Sequence, residues 1–335
     1  KGLRSVEVMP ASVALPKIVI TGGNGVLGQR LAQHLLLRKC HLILLDDYDG
    51  FHKGVKRDPS PQGEHEVLGS FQHVQADLRI WADWFSSFEG ADSVVHFSAV
   101  NPYPEASWED SRMSMRMSAN VVAASQRAGV RRLVVASSSH VLGGYMQDGA
   151  QKPAADLEPE TPLRHFTRFR LPGFETDASG YACAKVALEE MTRAAVMASG
   201  LSAVIIRIGW CQPGDNLPQN MTATATPTIS GDTVTKAMSV ESEVAAGFDN
   251  REDILAWLYR IWLSTPDFKQ LFERAIDAEL DGCLTVFGMS QNSGMRWSCS
   301  EGWSKLGYKP YDDALRTLAE SCGSEASPRK RQKVV

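Results

Sequence analysis

Short apolar segments alternate with helix-like stretches through the first two-thirds of the chain. The apolar segments are rich in Val and Ile and show little alternation with polar residues, which is typical of strands buried on both faces of a sheet. Predicted strands lie at 17–21, 41–45, 71–76, 93–97, 132–136 and 203–208. Predicted helices lie at 26–38, 81–88, 106–128 and 181–199. This alternation predicts an α/β fold, a doubly wound parallel sheet that binds its ligand at the carboxyl ends of the strands.

A glycine-rich loop with the sequence TGGNGVLG joins the first predicted strand to the first predicted helix. Its three regularly spaced glycines turn the chain, let the backbone approach a pyrophosphate and pack the helix against the strand. The helix that follows offers free N–H groups and a partial positive charge to the phosphates. The loop therefore predicts a dinucleotide site on a sheet of the Rossmann type. The predicted cofactor contacts here are Gly22, Gly25, Val26, Leu27 and Gly28.

Acidic residues follow the second and third predicted strands. Asp46, followed by Asp47, lies at the end of the second strand. A carboxylate there accepts hydrogen bonds from both hydroxyls of the adenosine ribose and repels a 2′-phosphate, so NAD is favoured over NADP. Asp77 and Leu78 follow the third strand and are candidates for contact with adenine. A surface turn explains the single Asp77 equally well.

Tyr181 and Lys185 lie four residues apart on a predicted helix, so both side chains project from one face. A tyrosine with an ordinary pKa near ~10 must lose about three pKa units to act as a base at neutral pH. We expect the ammonium of Lys185 to supply most of that shift. Ser138, after the fifth strand, is expected to bind the reacting oxygen. Ser139 and His140 are candidates for orienting a substrate, although capping of the strand end explains His140 equally well.

These motifs together resemble the extended short-chain dehydrogenase/reductases, the superfamily of the NAD-dependent nucleotide-sugar epimerases and dehydratases. The loop TGGNGVLG, the serine after the fifth strand and the segment YACAK carry the resemblance. It implies NAD as cofactor and Ser138, Tyr181 and Lys185 as catalytic residues. Within the superfamily the chain is most similar to uronate dehydrogenases, which oxidise the C1 hydroxyl of a uronic acid to a lactone. The segments ASSSHVLG, RIG with the following Cys211, VFGMSQNSGMRW and LGYKPYDDA carry that similarity.

The substrate-binding part departs from the uronate dehydrogenase pattern. That family has Asn where Ser139 stands, a small serine where Trp210 stands and a substrate-contacting serine where Asn101 stands. Its carboxylate-binding arginine is absent, because residues 216–220 read NLPQN. A carboxylate substrate needs a cation in its pocket; without one, a neutral sugar or another polyol is the alternative. The candidates for that cation are Arg168, Arg170, Arg251 and Arg260.

Three functions remain open at this point. The first is an NAD-dependent dehydrogenase acting on a sugar or sugar acid. The second is a nucleotide-sugar epimerase; dehydration is disfavoured because Ser139 and His140 stand where dehydratases have acidic neighbours. The third is a non-catalytic NAD-binding sensor or scaffold, a class that often loses the Tyr or the Lys, whereas Tyr181 and Lys185 are both present.

Composition and charge exclude other classes. A hydrophobic fraction of 43% with 22% charged residues is globular. No apolar run approaches the ~20 residues of a membrane span, and no secretory signal is evident, so we predict a cytoplasmic protein without a membrane partner. The six scattered cysteines predict reduced, buried thiols and no metal site.

The net charge of −4 becomes −8 without the four cations of the tail at 329–333, which disfavours nucleic acid as a partner. The basic tail leaves nuclear import open, although a solvated end is favoured. We predict a small-molecule sugar or sugar acid as partner, and the resemblance implies a homo-oligomer formed through the helices at 106–128 and 181–199.

Two polar stretches divide the chain. Residues 147–174 are rich in Pro, and residues 212–250 are rich in Thr, Ser, Gly and Pro, which is typical of a long loop or lid. Helices near 254–263 and 266–278 and a strand near 284–287 follow. The predicted divisions are an N-terminal extension, an NAD-binding Rossmann domain, a loop or lid, a small C-terminal substrate-binding portion and a disordered basic tail, at 1–15, 16–211, 212–250, 251–320 and 321–335.

Overall fold

The computed structural model describes residues 15–47, 66–100, 106–148, 156–171, 174–221 and 251–325. The strands in these ranges are β1 Lys17–Thr21, β2 His41–Asp46, β3 Ser70–Gln75, β4 Ser93–His96, β5 Arg132–Ser138, β6 Arg168–Leu171, β7 Phe174–Asp177, β8 Ser202–Ile208 and β9 Cys283–Gly288. The α-helices are α1 Val26–Leu35, α2 Trp108–Arg127, α3 Ser179–Ser199, α4 Arg251–Arg260, α5 Thr265–Asp277, α6 Ser300–Leu306 and α7 Ala314–Glu325. Segments of 3₁₀-helix lie at Asp83–Phe88, Ser139–Asp148 and Pro218–Asn220.

A seven-stranded sheet forms the centre of the described structure, in the order β3-β2-β1-β4-β5-β8-β9. Each neighbouring pair in it is parallel. The strand order reverses between β1 and β4, and at such a point a doubly wound sheet binds its ligand. The predicted α/β fold with a doubly wound parallel sheet is confirmed.

Successive residues of a strand enter two separate cores, one on each face of the sheet. Ile18 and Ile20 of β1 pack on the face that α1 and α5 cover, whereas Val19 packs on the face of α2 and α3. Burial on both faces explains why the inner strands β1, β2, β4, β5 and β8 are largely apolar. The edge strand β3 is mostly exposed and more polar.

The segment at 81–88, predicted as a helix, is instead the 3₁₀ turn Asp83–Phe88. Trp84 and Phe88 bury their rings in the core, and Gly90 turns the chain directly afterwards with a φ of 67°. The segment is therefore too short to add successive α-helical turns. The hairpin of β6 and β7, within and just after the Pro-rich stretch, was not predicted.

The C-terminal portion contributes to the same sheet, because β9 pairs with β8 along its whole length. Helix α7 continues to Glu325, past residue 321, where a disordered tail was predicted to begin. Residues 222–250, most of the predicted loop or lid, lie outside the described residues. Within the described ranges, no helix combines the length and the apolar character that crossing a membrane requires.

The prediction of buried thiols holds only in part. Cys40 and Cys299 are buried, Cys183 and Cys211 are half-buried, and Cys283 is exposed. Cys283 is the first residue of β9, the last strand in the sheet order. These five thiols are all free.

Candidate active site

The glycine-rich loop follows β1 as predicted, and its geometry requires glycine at two positions. Gly22 has a φ of +69°, and a Cβ there would lie 2.9 Å from the backbone nitrogen of Ser98. A Cβ on Gly28 would lie 2.2 Å from the carbonyl oxygen of Gly22. The backbone can therefore pack this closely around the loop only because Gly22 and Gly28 have no side chain.

The N-terminus of α1 opens from this loop without a competing side chain. Gly25 is the N-cap residue, Val26 and Leu27 start the helix, no side chain caps it, and its first turn holds no acidic residue. The first N–H groups and the positive end of the helix dipole are the elements that bind a pyrophosphate. In this respect the loop fits the phosphates of a dinucleotide.

The two acidic residues after β2 differ in their surroundings. The carboxylate of Asp46 is half-buried, and its Oδ2 accepts a hydrogen bond from the backbone nitrogen of Asn24 at 2.9 Å. Asp47 is exposed. A hydrogen bond thus holds Asp46 against the glycine-rich loop, whereas Asp47 faces solvent.

Asp77 follows β3 and pairs with Arg79 in a two-pronged contact. Its Oδ1 accepts from Nε at 2.8 Å and its Oδ2 from Nη2 at 2.9 Å. These hydrogen bonds lower the pKa of Asp77. The side chain of Leu78 is buried, and its carbonyl oxygen accepts from Nδ2 of Asn120 at 2.7 Å.

The three predicted catalytic side chains meet at the carboxyl end of β5. Ser138 ends that strand, and its side chain hydrogen-bonds to the hydroxyl of Tyr181. Lys185 lies one turn further along α3, with Nζ 5.5 Å from the centre of the Tyr181 ring. The same Nζ donates to the carbonyl oxygen of Ala136 at 2.7 Å, which anchors it to β5.

The acidity of Tyr181 differs from the sequence prediction. Burial raises the pKa of Tyr181 from 10.0 to about 12, although its hydrogen bond with Ser138 acts to lower it. Burial also lowers the pKa of Lys185 to about 8. The pKa of Tyr181 is therefore shifted in the direction opposite to the one that catalysis requires, because the low dielectric of the site disfavours the charged forms of both groups.

Ser139 and His140 are buried directly after Ser138. The backbone nitrogen of His140 donates to Oγ of Ser138 at 3.2 Å, and its ring lies edge-on to the ring of Tyr181, with the centroids 5.8 Å apart. Nδ1 of His140 lies 2.7 Å from Oγ1 of Thr167. Burial lowers the pKa of His140 to about 3, so the ring is neutral near pH 7. His140 thus lies in contact with Ser138 and Tyr181 in the candidate site.

His96 is a site residue that the sequence reasoning missed. It ends β4 and is buried, with Nδ1 2.7 Å from Oγ1 of Thr21 and Nε2 3.2 Å from Oγ of Ser118. Burial and the nearby charge of Lys185 lower the pKa of His96 to about 3. A single His in an otherwise apolar strand was the available signal. Thr167 was also missed. Nothing in the local sequence signals its contact, because its partner His140 lies 27 residues earlier in the chain.

A buried ionic cluster lies behind the catalytic residues. Glu189, two turns after Tyr181 on α3, accepts from Nε and Nη2 of Arg207, each at 2.9 Å. Ser137 donates to the same carboxylate at 2.5 Å and Arg193 at 2.9 Å. Burial acts to raise the pKa of Glu189, but the bonds to Arg207 and its other partners outweigh it, and the pKa is lowered. The cluster ties β5, β8 and α3 together.

The structure describes the side chains of two of the four predicted carboxylate-binding arginines, Arg168 and Arg260. Arg168 pairs with Asp177 at 3.0 Å. Arg260 lines a groove of about 410 Å³ together with Leu255 and Tyr259. The side chains of Arg170 and Arg251, and the whole of Asn101, lie outside the described residues.

A different arginine, Arg30, contacts the segment after β8, where the uronate dehydrogenase pattern has its carboxylate-binding arginine. Arg30 of α1 is only 7% exposed, and its Nη2 donates to the carbonyl oxygens of Gln212 at 3.0 Å and Gly214 at 3.3 Å. Asn216 in that segment is buried and donates to the carbonyl oxygen of Leu263 at 2.7 Å. The segment after β8 is therefore fixed by its own polar contacts.

No cluster of three or more His, Cys, Asp or Glu in the described ranges is arranged to hold a metal ion.

Relatives of known activity cover nearly the whole chain. L-arabinose 1-dehydrogenase (NAD(P)(+)) of Haloferax volcanii is 27% identical over 312 residues, which are 91% of this chain and 100% of the relative. Uronate dehydrogenase of Pseudomonas syringae pv. tomato is 26% identical, over 89% of this chain and 82% of the relative. A variant uronate dehydrogenase from Agrobacterium tumefaciens, crystallised with NAD, superposes with a TM-score of 0.60 at 22% identity, over 95% of this chain and 93% of that one.

A family model gives the assignment for the first two-thirds of the chain. The model of the NAD dependent epimerase/dehydratase family matches residues 18–211, which contain the glycine-rich loop, Ser138, Tyr181 and Lys185. The match confirms the predicted superfamily and its cofactor, NAD. The chain belongs to the NAD-dependent epimerase/dehydratase family.

Proposed function

We propose that the protein is a dehydrogenase that oxidises a hydroxyl group of a sugar or sugar acid with NAD, with Tyr181 as the general base. The hydrogen-bonded pair of Ser138 and Tyr181 next to Lys185, at the edge of the sheet where the glycine-rich loop lies, carries the proposal. The relatives named for arabinose and uronate oxidation support the substrate class.

Each catalytic residue has a separate task in this proposal. Oγ of Ser138 binds the reacting hydroxyl, and the phenolic oxygen of Tyr181 accepts its proton. Nζ of Lys185, fixed by the carbonyl oxygen of Ala136, stabilises the phenolate. NAD, when bound, supplies the hydride acceptor and a positive charge close to the phenol. Gly22, Gly25 and the start of α1 would hold its phosphates, and Asp46 its adenosine ribose.

The electrostatic requirement on Tyr181 is large. Lowering its pKa from about 12 to neutrality requires about 7 kcal/mol. An ammonium roughly 5 Å away contributes about 3 kcal/mol at an effective dielectric of ~20. We assign the remainder to the positive charge of the bound cofactor. Tyr181 is therefore expected to be an effective base only in the cofactor complex.

The substrate test is a panel of uronic acids and neutral aldoses, with NADH formation as the readout. NADH formation with members of either group supports the proposal. Activity restricted to uronic acids would indicate that a cation pairs with the carboxylate, whereas activity with neutral aldoses would agree with the missing family arginine. A folded, NAD-binding protein that oxidises no member of the panel would contradict the proposal.

A nucleotide-sugar epimerase is the second candidate, because the family includes such enzymes and UDP-glucose 4-epimerase of Streptomyces lividans is 26% identical over 57% of this chain. An epimerase keeps its cofactor between turnovers. NAD released only on denaturation of the purified protein, together with interconversion of sugar nucleotides, would favour it.

The finer sequence predictions remain proposals. These are the contacts of Gly28, Val26, Leu27, Asp47, Asp77 and Leu78 with the cofactor, those of Asn101, Ser139 and His140 with the substrate, the division of the chain into domains, a homo-oligomer and a cytoplasmic location.

A further inference from the structure

Arg30 on α1 is a buried cation with an unused donor. Its Nη2 donates to the carbonyl oxygens of Gln212 and Gly214, and its guanidinium carbon lies 5.8 Å from the centre of the Phe268 ring on α5. Its Nη1 is buried and has no hydrogen-bond partner. A buried donor of a charged group is costly without an acceptor. This nitrogen therefore points to an acceptor that the described part of the chain does not provide.

Lys269 is a second cation close to Arg30. It directly follows Phe268 on α5 and is half-buried, and it forms no ion pair with any residue that the structure describes. Burial lowers the pKa of Lys269, and the charge of Arg30 lowers it further. The two positive charges therefore act on each other across the contact of α1 with α5.

Within the described ranges, no carboxylate balances the charges of Arg30 and Lys269. The group that favours the charged form of Arg30 is the thiol of Cys211. Burial raises the pKa of that thiol to about 12, so it is neutral near pH 7 and supplies no counter-charge. Buried charges are ordinarily paired. The pair thus lacks an anion, which a ligand can supply.

Thr265 adds a hydroxyl to the same face of α5. Thr265 and Lys269 are four residues apart in the helix, so their side chains are neighbours. Oγ1 of Thr265 is buried and has no hydrogen-bond partner, and a hydroxyl can donate to an anion. The part of α5 next to Arg30 thus presents an ammonium and a hydroxyl.

We propose that Arg30, Lys269 and Thr265 form a binding site for a phosphate group between α1 and α5, apart from the catalytic residues. A phosphate group near pH 7 carries a charge of about −1.5 to −2, which matches two cations, whereas a carboxylate supplies a single negative charge. Lys269 is partly exposed and gives access from solvent. Its side chain shifts as the phosphate reaches Nη1 of Arg30. The inference goes beyond the proposed dehydrogenase activity and does not depend on it.

The experiment is calorimetric titration of the full chain with inorganic phosphate at neutral pH and constant ionic strength, with and without saturating NADH. We expect phosphate to bind in both states. Lys269→Met should bind it about tenfold more weakly, because one hydrogen bond between charged groups is lost. Lys309→Met is the matched control. Lys309 has an exposed side chain and its backbone contacts Gln270 on α5, so this variant loses the same charge near the same helix and should keep the wild-type affinity.

A second variant tests the hydroxyl without changing the net charge. Thr265→Val should bind phosphate several-fold more weakly. Its stability to urea in the absence of phosphate should be at least that of the wild type, because the buried hydroxyl has no partner to lose. Weaker binding without loss of stability separates a role in binding from a role in folding.

Ribose 5-phosphate, titrated beside inorganic phosphate, distinguishes two sources of the phosphate group. Tighter binding of ribose 5-phosphate, lost again in Lys269→Met, would identify the ligand as a phosphorylated metabolite. Equal binding of the two would identify it as free phosphate.

Three results would overturn the inference. The first is a folded wild-type protein that binds no phosphate, and the second is equal phosphate affinity of the wild type and Lys269→Met. The third is loss of phosphate binding on saturation with NADH, which would assign the anion to the pyrophosphate site of the cofactor. None of the three affects the dehydrogenase proposal, which is tested by NADH formation with the sugar panel.

Discussion

His140 connects the catalytic hydroxyls to the Pro-rich segment that precedes α3. Its backbone nitrogen contacts Ser138, its ring lies against Tyr181, and its Nδ1 pairs with Oγ1 of Thr167. A Cβ on Gly143 would lie 1.9 Å from that Oγ1, so the close approach of the two segments depends on a glycine. The hydrogen bond at one ring nitrogen determines which of the two nitrogens carries the proton. Thr167 is therefore expected to position His140 and to select its tautomer.

We predict that Thr167→Val lowers kcat/KM for the sugar about tenfold, because the isosteric change removes the hydrogen bond that orients His140. Affinity for NADH should not change, and Thr167→Ser should restore activity. Thr192→Val is the matched control, because Thr192 is also buried and donates only within α3, to the carbonyl oxygen of Leu188 at 2.8 Å. Equal effects of the two valine variants on kcat/KM would contradict the prediction.

Sequence reasoning works for residues whose chemistry depends on local spacing. Tyr181 and Lys185 are one helical turn apart, and Ser138 ends a predicted strand, so all three could be named in advance. The direction of the pKa shift of Tyr181 could not be predicted, because it depends on burial by segments that are distant in the sequence. Thr167 and Glu189 escaped for the same reason, since their partners lie far along the chain.

Helix α3 is the element that joins catalysis to the core. Tyr181, Lys185 and Glu189 follow one another at intervals of four residues and so share a face. The first two face the site, and Glu189 binds Arg207 on β8 and Ser137 on β5. Positioning of the catalytic pair therefore depends on a carboxylate that never contacts the substrate.

Glu189→Gln is expected to destabilise the protein by about 3–5 kcal/mol, because it leaves the buried guanidinium of Arg207 without its counter-charge. Urea unfolding of the wild type and the variant measures the difference. Glu190→Gln is the control, because Glu190 is 64% exposed and pairs only at the surface with Arg193. A loss below 1 kcal/mol in Glu189→Gln, or one equal to that of the control, would contradict the buried-cluster interpretation.

At the level of elements, buried parallel strands were the most predictable feature. Their apolar runs reflect burial on both faces, which a local pattern reveals. The turn at 83–88 and the hairpin of β6 and β7 were not predicted, because packing of aromatic rings and pairing across a Pro-rich stretch decide them.

In the part of the chain that the structure describes, the buried histidines His96 and His140 lie at the edge of the sheet that carries the site, and both are neutral near pH 7. The pKa values of His96 and His140 are both lowered to about 3 by burial, with Lys185 contributing at His96. The unfolded chain, with ordinary histidine pKa values, binds more protons below about pH 6.5. The contribution of these two histidines to the free energy of unfolding is therefore fully present above that pH and is lost as the pH falls towards 3.

Lowering the pH from about 6.5 to 5 should cost about 3 kcal/mol of unfolding free energy from this pair, before most carboxylates titrate. Urea unfolding at the two pH values measures it. His140→Gln should remove about half of the loss, whereas His73→Gln, at an exposed position on β3, should retain all of it. A stability independent of pH over this range would contradict the burial of neutral histidines.

The arrangement of the whole chain was predictable only in outline. The parallel sheet and its ligand edge follow from the alternation of strands and helices. The insertion of β9 beside β8 does not, because it depends on contacts between segments far apart in the sequence.

The most direct test compares the wild-type protein with Tyr181→Phe in two assays, NADH binding and sugar-dependent NADH formation. The variant lacks only the phenolic oxygen that would accept the proton. We predict unchanged NADH affinity and a loss of turnover of at least about a hundredfold. Full turnover by Tyr181→Phe would show that Tyr181 is not the base and would contradict the proposed mechanism.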